Sequence, residues 1–403
     1  MEALMFRIPR VTLRFAVVAC WPALAGLAFA LALPCPAPAC SLCDSSFRMQ
    51  TTFRQELEDA KVVLFGTIGN PQFIKRPGMP PGAGTTEFHV LRVLKDDPAR
   101  GGRNQLEINK YLPVTDPAAP PLYLVFCSVA DGQLNPYHGR PLKSNAVLPY
   151  LAGVMEVKSK DVGQRMLFYF KYLDNDDPVV SQDAFLEFAR CGDKEISDVA
   201  KHLPAAKLRT FLQDPKTPTE RLGLFAFLLG ASGADKDAAG LLRKMIEHPT
   251  DRTSNALDGL LSGYIFLEPH QGWELAASIL GDPKKPYLQR LAVSRSVRFY
   301  QSSKPVEYKK EILRCLNTML RDGEVADLAI DDLRQWKMWD LTKEILAEFG
   351  RPSHDSPLVR RGIVRYALCC PRPEAGQFVA ALRQRDPELV RELEEALEFE
   401  KGK

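Results

Sequence analysis

Three kinds of hydrophobic patterning follow one another along the chain. Residues 15–33 pass without a single charge. Beyond them, apolar residues come in short runs with a strand-like period. KVVLFGTI (residues 61–68) is compact, β-branched and apolar, which predicts a buried strand. TTEFHVLRVL (85–94) alternates in part, with Phe88, Val90 and Arg92 facing one way and His89, Leu91 and Val93 the other. QLEIN (105–109) alternates cleanly with Leu106 and Ile108 inward, and LYLVFCSV (122–129) predicts a central strand. The linkers are rich in proline and glycine, and no helical crossover separates the strands. The pattern therefore predicts a small antiparallel sheet or barrel.

From Ser144 onward the period becomes helical. Asp177-Pro178, Ser356-Pro357 and Asp386-Pro387 each predict a helix start, because the cap side chain accepts an orphan N–H and proline has none to lose. Thr217-Pro218-Thr219-Glu220 predicts a capping box. Val359, Ile363, Tyr366, Ala367 and Cys370 recur at helical spacing, as do Leu389, Val390, Leu393 and Leu397. Gly192, Gly233 and Gly350 stand where helix stops are expected. Helix pairs are predicted to begin near residues 178, 218, 254, 286, 324 and 357, a spacing of about 32 to 40. One such pair cannot bury its apolar stripe alone, and stacking several gives a continuous core.

Composition sets bounds on this picture. A length of 403 residues implies two or three domains. The apolar and charged fractions, 45% and 26%, are those of a folded chain. The formal net charge is +3, of which residues 1–39 contribute +2, so nothing in the global charge argues for nucleic acid. Arg7, Arg10 and Arg14 precede the uncharged stretch, and Ala28-Phe29-Ala30 and Ala37-Pro38-Ala39 offer cleavage sites, which predicts a secretion signal over 1–39. The alternative is a retained anchor through 15–33. The expected organisation is a signal (1–39), a β-rich domain (40–145) and an α-helical domain (146–403), exported to the periplasm or secreted. No membrane insertion is expected after signal cleavage.

Export sets the expectation for the nine cysteines. Cys40, Cys43 and Cys127 are disulfide candidates: the first two as a pair, or one of them tied to Cys127. A Cys40–Cys127 bridge would brace the terminus by closing a long loop, worth roughly 4–5 kcal/mol on the chain-entropy model. The alternatives for Cys40-Ser41-Leu42-Cys43 are a redox dithiol or half of a zinc site. Against these, no strand precedes the pair, and no second C-x-x-C or paired histidines accompany it. Cys191, Cys315, Cys369 and Cys370 read as buried small hydrophobes. His89, His138, His202, His248, His270 and His354 are scattered and read as surface or loop residues. Asp174, Asp176 and Asp177 lack the order of a calcium loop and read as a helix cap in an acidic turn. Trp336 and Trp339 read as packing between repeats. No catalytic residue, cofactor site or metal site is expected.

Three resemblances add to this reading. Cys40-Ser41-Leu42-Cys43, AKVVLFGTI, EFHVLRVLK and YLVFC resemble the netrin-like, or tissue-inhibitor-of-metalloproteinase-like, OB-fold domain. That likeness implies an OB-like barrel and, through the amine of Cys40 after cleavage, a protease-inhibitor-like role; the family's C-x-C is here C-x-x-C. DPVVSQDAFLEFARCG and SPLVRRGIVRYALCC are similar to degenerate HEAT-type helices, implying an α-solenoid. The chain end to end resembles an uncharacterised family of exported bacterial proteins, which implies architecture alone. The expected function is a non-enzymatic binding scaffold in the cell envelope, its partner another envelope or extracellular protein.

Overall fold

Local chemistry sets the first element. In the computed structural model, which describes residues 50–75, 82–233 and 237–401, helix α1 (Phe53–Asp59) begins at Thr52. The Thr52 hydroxyl accepts from the Gln55 N–H and the Gln55 side chain accepts from the Thr52 N–H, so two orphan donors satisfy each other's residues. The stretch expected to be a secretion signal and the Cys40/Cys43 pair lie outside the described residues.

Five strands follow: β1 (Val62–Phe73), β2 (Gly84–Lys95), β3 (Gln105–Ile108), β4 (Leu122–Ala130) and β5 (Gln133–Leu142). All pairings are antiparallel, in the order β3-β2-β1-β4-β5. This is the expected small antiparallel β unit, and its sheet is not closed into a barrel. Among the described residues β3 pairs only with β2 and β5 only with β4, which leaves the sheet open at both edges. Four strands lie where the alternation predicts them, and β5 is additional. Its hairpin turns on Asp131 and Gly132, both at positive φ (52° and 73°), the geometry that Asp-Gly favours. Pro136 and Pro141 disguise it as a loop, yet an edge strand tolerates proline on its unpaired side.

A bulge corrects the facing of β2. Phe65 pairs with Arg92 and Gly66 with Val90, so Leu91 is left over and stands 61% exposed. Past this extra residue the parity reverses, and Val93 joins Val90 beside one apolar cluster rather than opposing it. The sheet buries both faces. Val62, Leu64, Ile68, Phe88, Leu106, Val125 and Cys127 form the cluster on one side. Val63, Phe65, Leu124 and Phe126 face the other way, into a core shared with the helices. That double burial is why β1 opens as an unbroken apolar run.

Helices fill the rest: α2 (Val147–Val157), α3 (Val162–Phe170), α4 (Pro178–Ala189), α5 (Asp193–Ala200), α6 (Ala205–Gln213), α7 (Leu222–Ser232), α8 (Ala238–Glu247), α9 (Leu257–Leu267) and α10 (Pro269–Gly281). They continue with α11 (Tyr287–Ser303), α12 (Lys309–Leu320), α13 (Ala326–Gln335), α14 (Thr342–Ala347), α15 (Pro357–Cys369), α16 (Pro373–Arg385) and α17 (Pro387–Lys401). Alternate helices lie side by side in two layers, α7-α9-α11-α13-α15-α17 and α10-α12-α14-α16. Tertiary hydrogen bonds repeat this spacing. Arg221 to Gln182, Tyr300 to Ser262 and His354 to Leu320 each join residues 34 to 39 apart in sequence.

Asp177, Ser356 and Asp386 cap their helices through the N–H groups of Val179, Val359 and Leu389, as their sequence predicts. The Thr217–Glu220 box does not form. A 3-10 turn (Thr219–Arg221) stands there without a side-chain cap, since Arg221 is drawn inside to donate to the Leu173 carbonyl and Gln182. Gly192 starts α5 instead of ending α4, its N–H held by Glu195. Helix α7, apolar all round, is buried from Leu222 to Ala231. It is hemmed in by α5, α6 and α9, and Phe227 meets Phe299 of α11 at 4.6 Å.

Candidate functional site

Two groupings of polar side chains stand out, and their burial separates what each can do. The first joins α1 and β5 to the start of the helices. Asp183 of α4 accepts from the Phe53 N–H at 2.7 Å and from the Tyr150 hydroxyl at 2.6 Å. Glu187, one turn on, accepts from Arg54 Nε at 3.1 Å, and Arg190 donates to Gln55. Glu56 accepts from Arg140 at 2.9 Å, with His138 Nε2 at 3.3 Å. Burial pushes the Asp183 carboxyl up to about 7, against the pull of the Tyr150 and Phe53 donors. Glu56 Oε2, Glu187 Oε1 and the Tyr169 hydroxyl have no hydrogen-bond partner among the described residues. Asp183 and Glu187, at 1% and 2% exposure, are enclosed, while His138 and Arg140 stand at the rim. Its geometry is that of a clasp between segments.

The second grouping is open. Helix α11 shows solvent one stripe, Leu288, Leu291, Arg295, Arg298 and Ser302, at helical spacing. Between α11 and α13 lies a cleft of about 530 Å³ lined by Arg298, Gln301, Ser302, Asp331, Gln335 and Trp336 among others. A second cleft of about 340 Å³ shares Arg298 and Asp331 and continues past Leu328, Leu358, Arg361 and Arg365 to Leu393 and Glu400. The two adjoin at Arg298 and Asp331, and together residues of α11, α13, α15 and α17 line this groove.

Charges in this groove are mostly matched. Arg361 grips Glu392 with both terminal nitrogens, and Arg365 reaches Glu400. Asp331 accepts from Arg334 at 2.8 Å and from Gln335 Nε2 at 2.6 Å. Arg298 differs. Its Nε lies 2.9 Å from both oxygens of the buried Asp332, while Nη1 and Nη2 have no partner among the described residues. Burial pushes Asp332 up to about 6 despite this arginine. The Gln301 amide, the Ser302 hydroxyl and the Gln335 side-chain oxygen also have no partner among the described residues, and Gln301 Oε1 is buried. The groove thus offers donors and acceptors of balanced charge beside leucines and an indole.

The sequence singled out few of these groups. Trp336 lines the cleft, whereas Trp339 meets the Tyr366 ring edge-on at 5.1 Å. Cys127 is a free thiol at 0% exposure within the outer cluster of the sheet, with no partner cysteine among the described residues. Cys191, Cys315 and Cys370 are buried, but Cys369 is exposed. His354 is not a surface residue. At 1% exposure its ring bridges the Leu320 carbonyl and the Ser353 hydroxyl, each at 2.8 Å. Asp177 caps α4 and Asp174 holds Lys207 at 2.8 Å. Among the described residues no three His, Cys, Asp or Glu are grouped to hold a metal ion, and no helix is long and apolar enough to cross a membrane.

No protein-family model matches the chain, and no curated protein is similar to it at a significant level. Among solved structures, human deoxyhypusine hydroxylase in complex with glycerol aligns with 63% of this chain and 100% of its own at 17% identity. The TM-score is 0.26, a likeness too slight to carry an argument about this protein.

Proposed function

We propose that this chain is an exported, non-enzymatic scaffold that holds a partner protein against the helical stack, along the groove over α11, α13, α15 and α17. The observation that carries the reading is Arg298, fixed on one edge by Asp332 and open on the other inside a groove that crosses four helices. An orientated guanidinium with unspent donors is a recognition group, and its orientation removes part of the entropy lost on binding. The titratable groups with the largest environmental effects, Asp183 among them, are enclosed or matched, which suits a framework more than a reaction centre. The leading apolar stretch with its arginines supports export, and the repeat-length spacing of the helices supports a HEAT-like stack.

The test is purification of the intact chain from the cells that make it, beside an Arg298→Gln/Asp332→Asn variant, which removes the buried carboxylate together with its cation. The reading expects a second protein at near-equal molar amount on the wild type and its loss from the variant. A chain that purifies alone, or a companion indifferent to the substitutions, refutes it.

A further inference from the structure

Resting on that scaffold reading, we infer that the groove grips its partner as an extended polypeptide segment, chiefly by main-chain hydrogen bonds around Arg298 and Gln335. The unspent groups decide the chemistry. Donors come from Arg298 Nη1 and Nη2, and acceptors from the Gln335 side-chain oxygen and the Ser302 hydroxyl. An extended chain presents C=O and N–H alternately, and such a mixed set satisfies both. A charged side chain is a poorer fit. Asp331 and Asp332 stand beside Arg298 and would repel a carboxylate, while Arg298 and Arg334 oppose a cation. The shape agrees: residues of four helices line the clefts, and in the far part Leu358, 68% exposed, and the partly buried Leu328 offer apolar contact to aliphatic side chains of a peptide. A saccharide would want more aromatic wall than the one indole, Trp336, that lines the near cleft.

The experiment pans a random heptapeptide phage library on the intact chain and, in parallel, on Arg298→Lys, which keeps the charge and loses the planar fork. Enriched peptides are synthesised, and each main-chain N–H is methylated in turn. The inference expects enrichment on the wild type alone. It also expects roughly three- to tenfold weaker binding on N-methylation at two or more positions, the size of single lost hydrogen bonds. Exchanging Asp or Glu in the peptide for Asn or Gln should leave affinity unchanged. If Arg298→Lys does not fold, Ser302→Ala with Gln335→Leu takes its place. A flat methylation scan overturns the inference. So does equal enrichment on the variant, loss of binding with the peptide's acidic charge, or saturable binding of chitotetraose where no peptide binds. Failure here, with a partner protein still lost from Arg298→Gln/Asp332→Asn in cells, leaves the scaffold standing and removes only the main-chain grip.

Discussion

Gly259 of α9 lies against Gly223 of α7 so closely that a Cβ built on it would stand 2.0 Å from the Gly223 carbonyl oxygen. Gly230 and Gly263 repeat the contact one step along, at 2.2 Å. Two helices thus meet backbone to backbone at the centre of the stack, allowing α7 to touch both α9 and α11. Gly259→Ala is expected to lower stability by about 1–3 kcal/mol or more, since neither backbone can give way locally. Gly240 of α8 has nothing within 4 Å of its Cβ position, so Gly240→Ala should raise stability by about 0.5–1 kcal/mol. Urea unfolding of the two variants checks both signs.

Asp183 makes stability depend on pH in an unusual direction. Its folded value, about 7, lies above that of an unfolded aspartate, with burial the main cause. Between about pH 4 and 7 the folded chain therefore binds the extra proton, and stability falls as pH rises through this window. Asp258 and Asp332, each pushed up to about 6 by burial, act the same way over a narrower range. The urea midpoint should be higher at pH 5.5 than at pH 8, and the difference smaller in Asp183→Asn. A midpoint rising from pH 5.5 to 8 in the wild type would contradict the assignment.

His354 closes the end of a helix from the following repeat. Its Nε2 reaches the Leu320 carbonyl, a group that α12 leaves without a partner at its terminus. His354→Leu keeps the apolar volume and removes this bond, and a loss of about 1–3 kcal/mol is expected. Hydrogen exchange should rise first in the last turn of α12.

The described cysteines should differ sharply in reactivity. Cys369 is exposed, whereas Cys127 and Cys315 are buried and desolvation pushes both thiols up to about 12. Iodoacetamide on the folded chain should modify Cys369 and spare the other two, with peptide mass spectrometry as the readout.

Much of the fold was legible because its signals are local. Asp177-Pro178 and Ser356-Pro357 carry cap chemistry within four residues, and the strands at Val62 and Leu122 announce themselves by composition. The errors arise where distant residues decide. Arg221 leaves the surface for Leu173 and Gln182, undoing a capping box that its neighbours spell out. Leu91 becomes a bulge through its partner strand, and β5 hides behind two prolines that only an edge position permits. The groove was not legible at all. Arg298, Asp331, Arg361 and Leu393 come from four helices and form no motif along the chain; only their register in the stack brings them together.

Photo-crosslinking inside the cells that make the protein tests the central claim most directly. Benzoylphenylalanine would be placed singly at Trp336 and Leu358 in the groove, and at Lys310 and Lys343 on helices of the other layer. With the near-cleft probe placed at Trp336, so that Gln335 is kept, the account predicts one and the same crosslinked protein from Trp336 and Leu358 and none from the other two. No adduct from the groove, or the same adduct from all four sites, would contradict it.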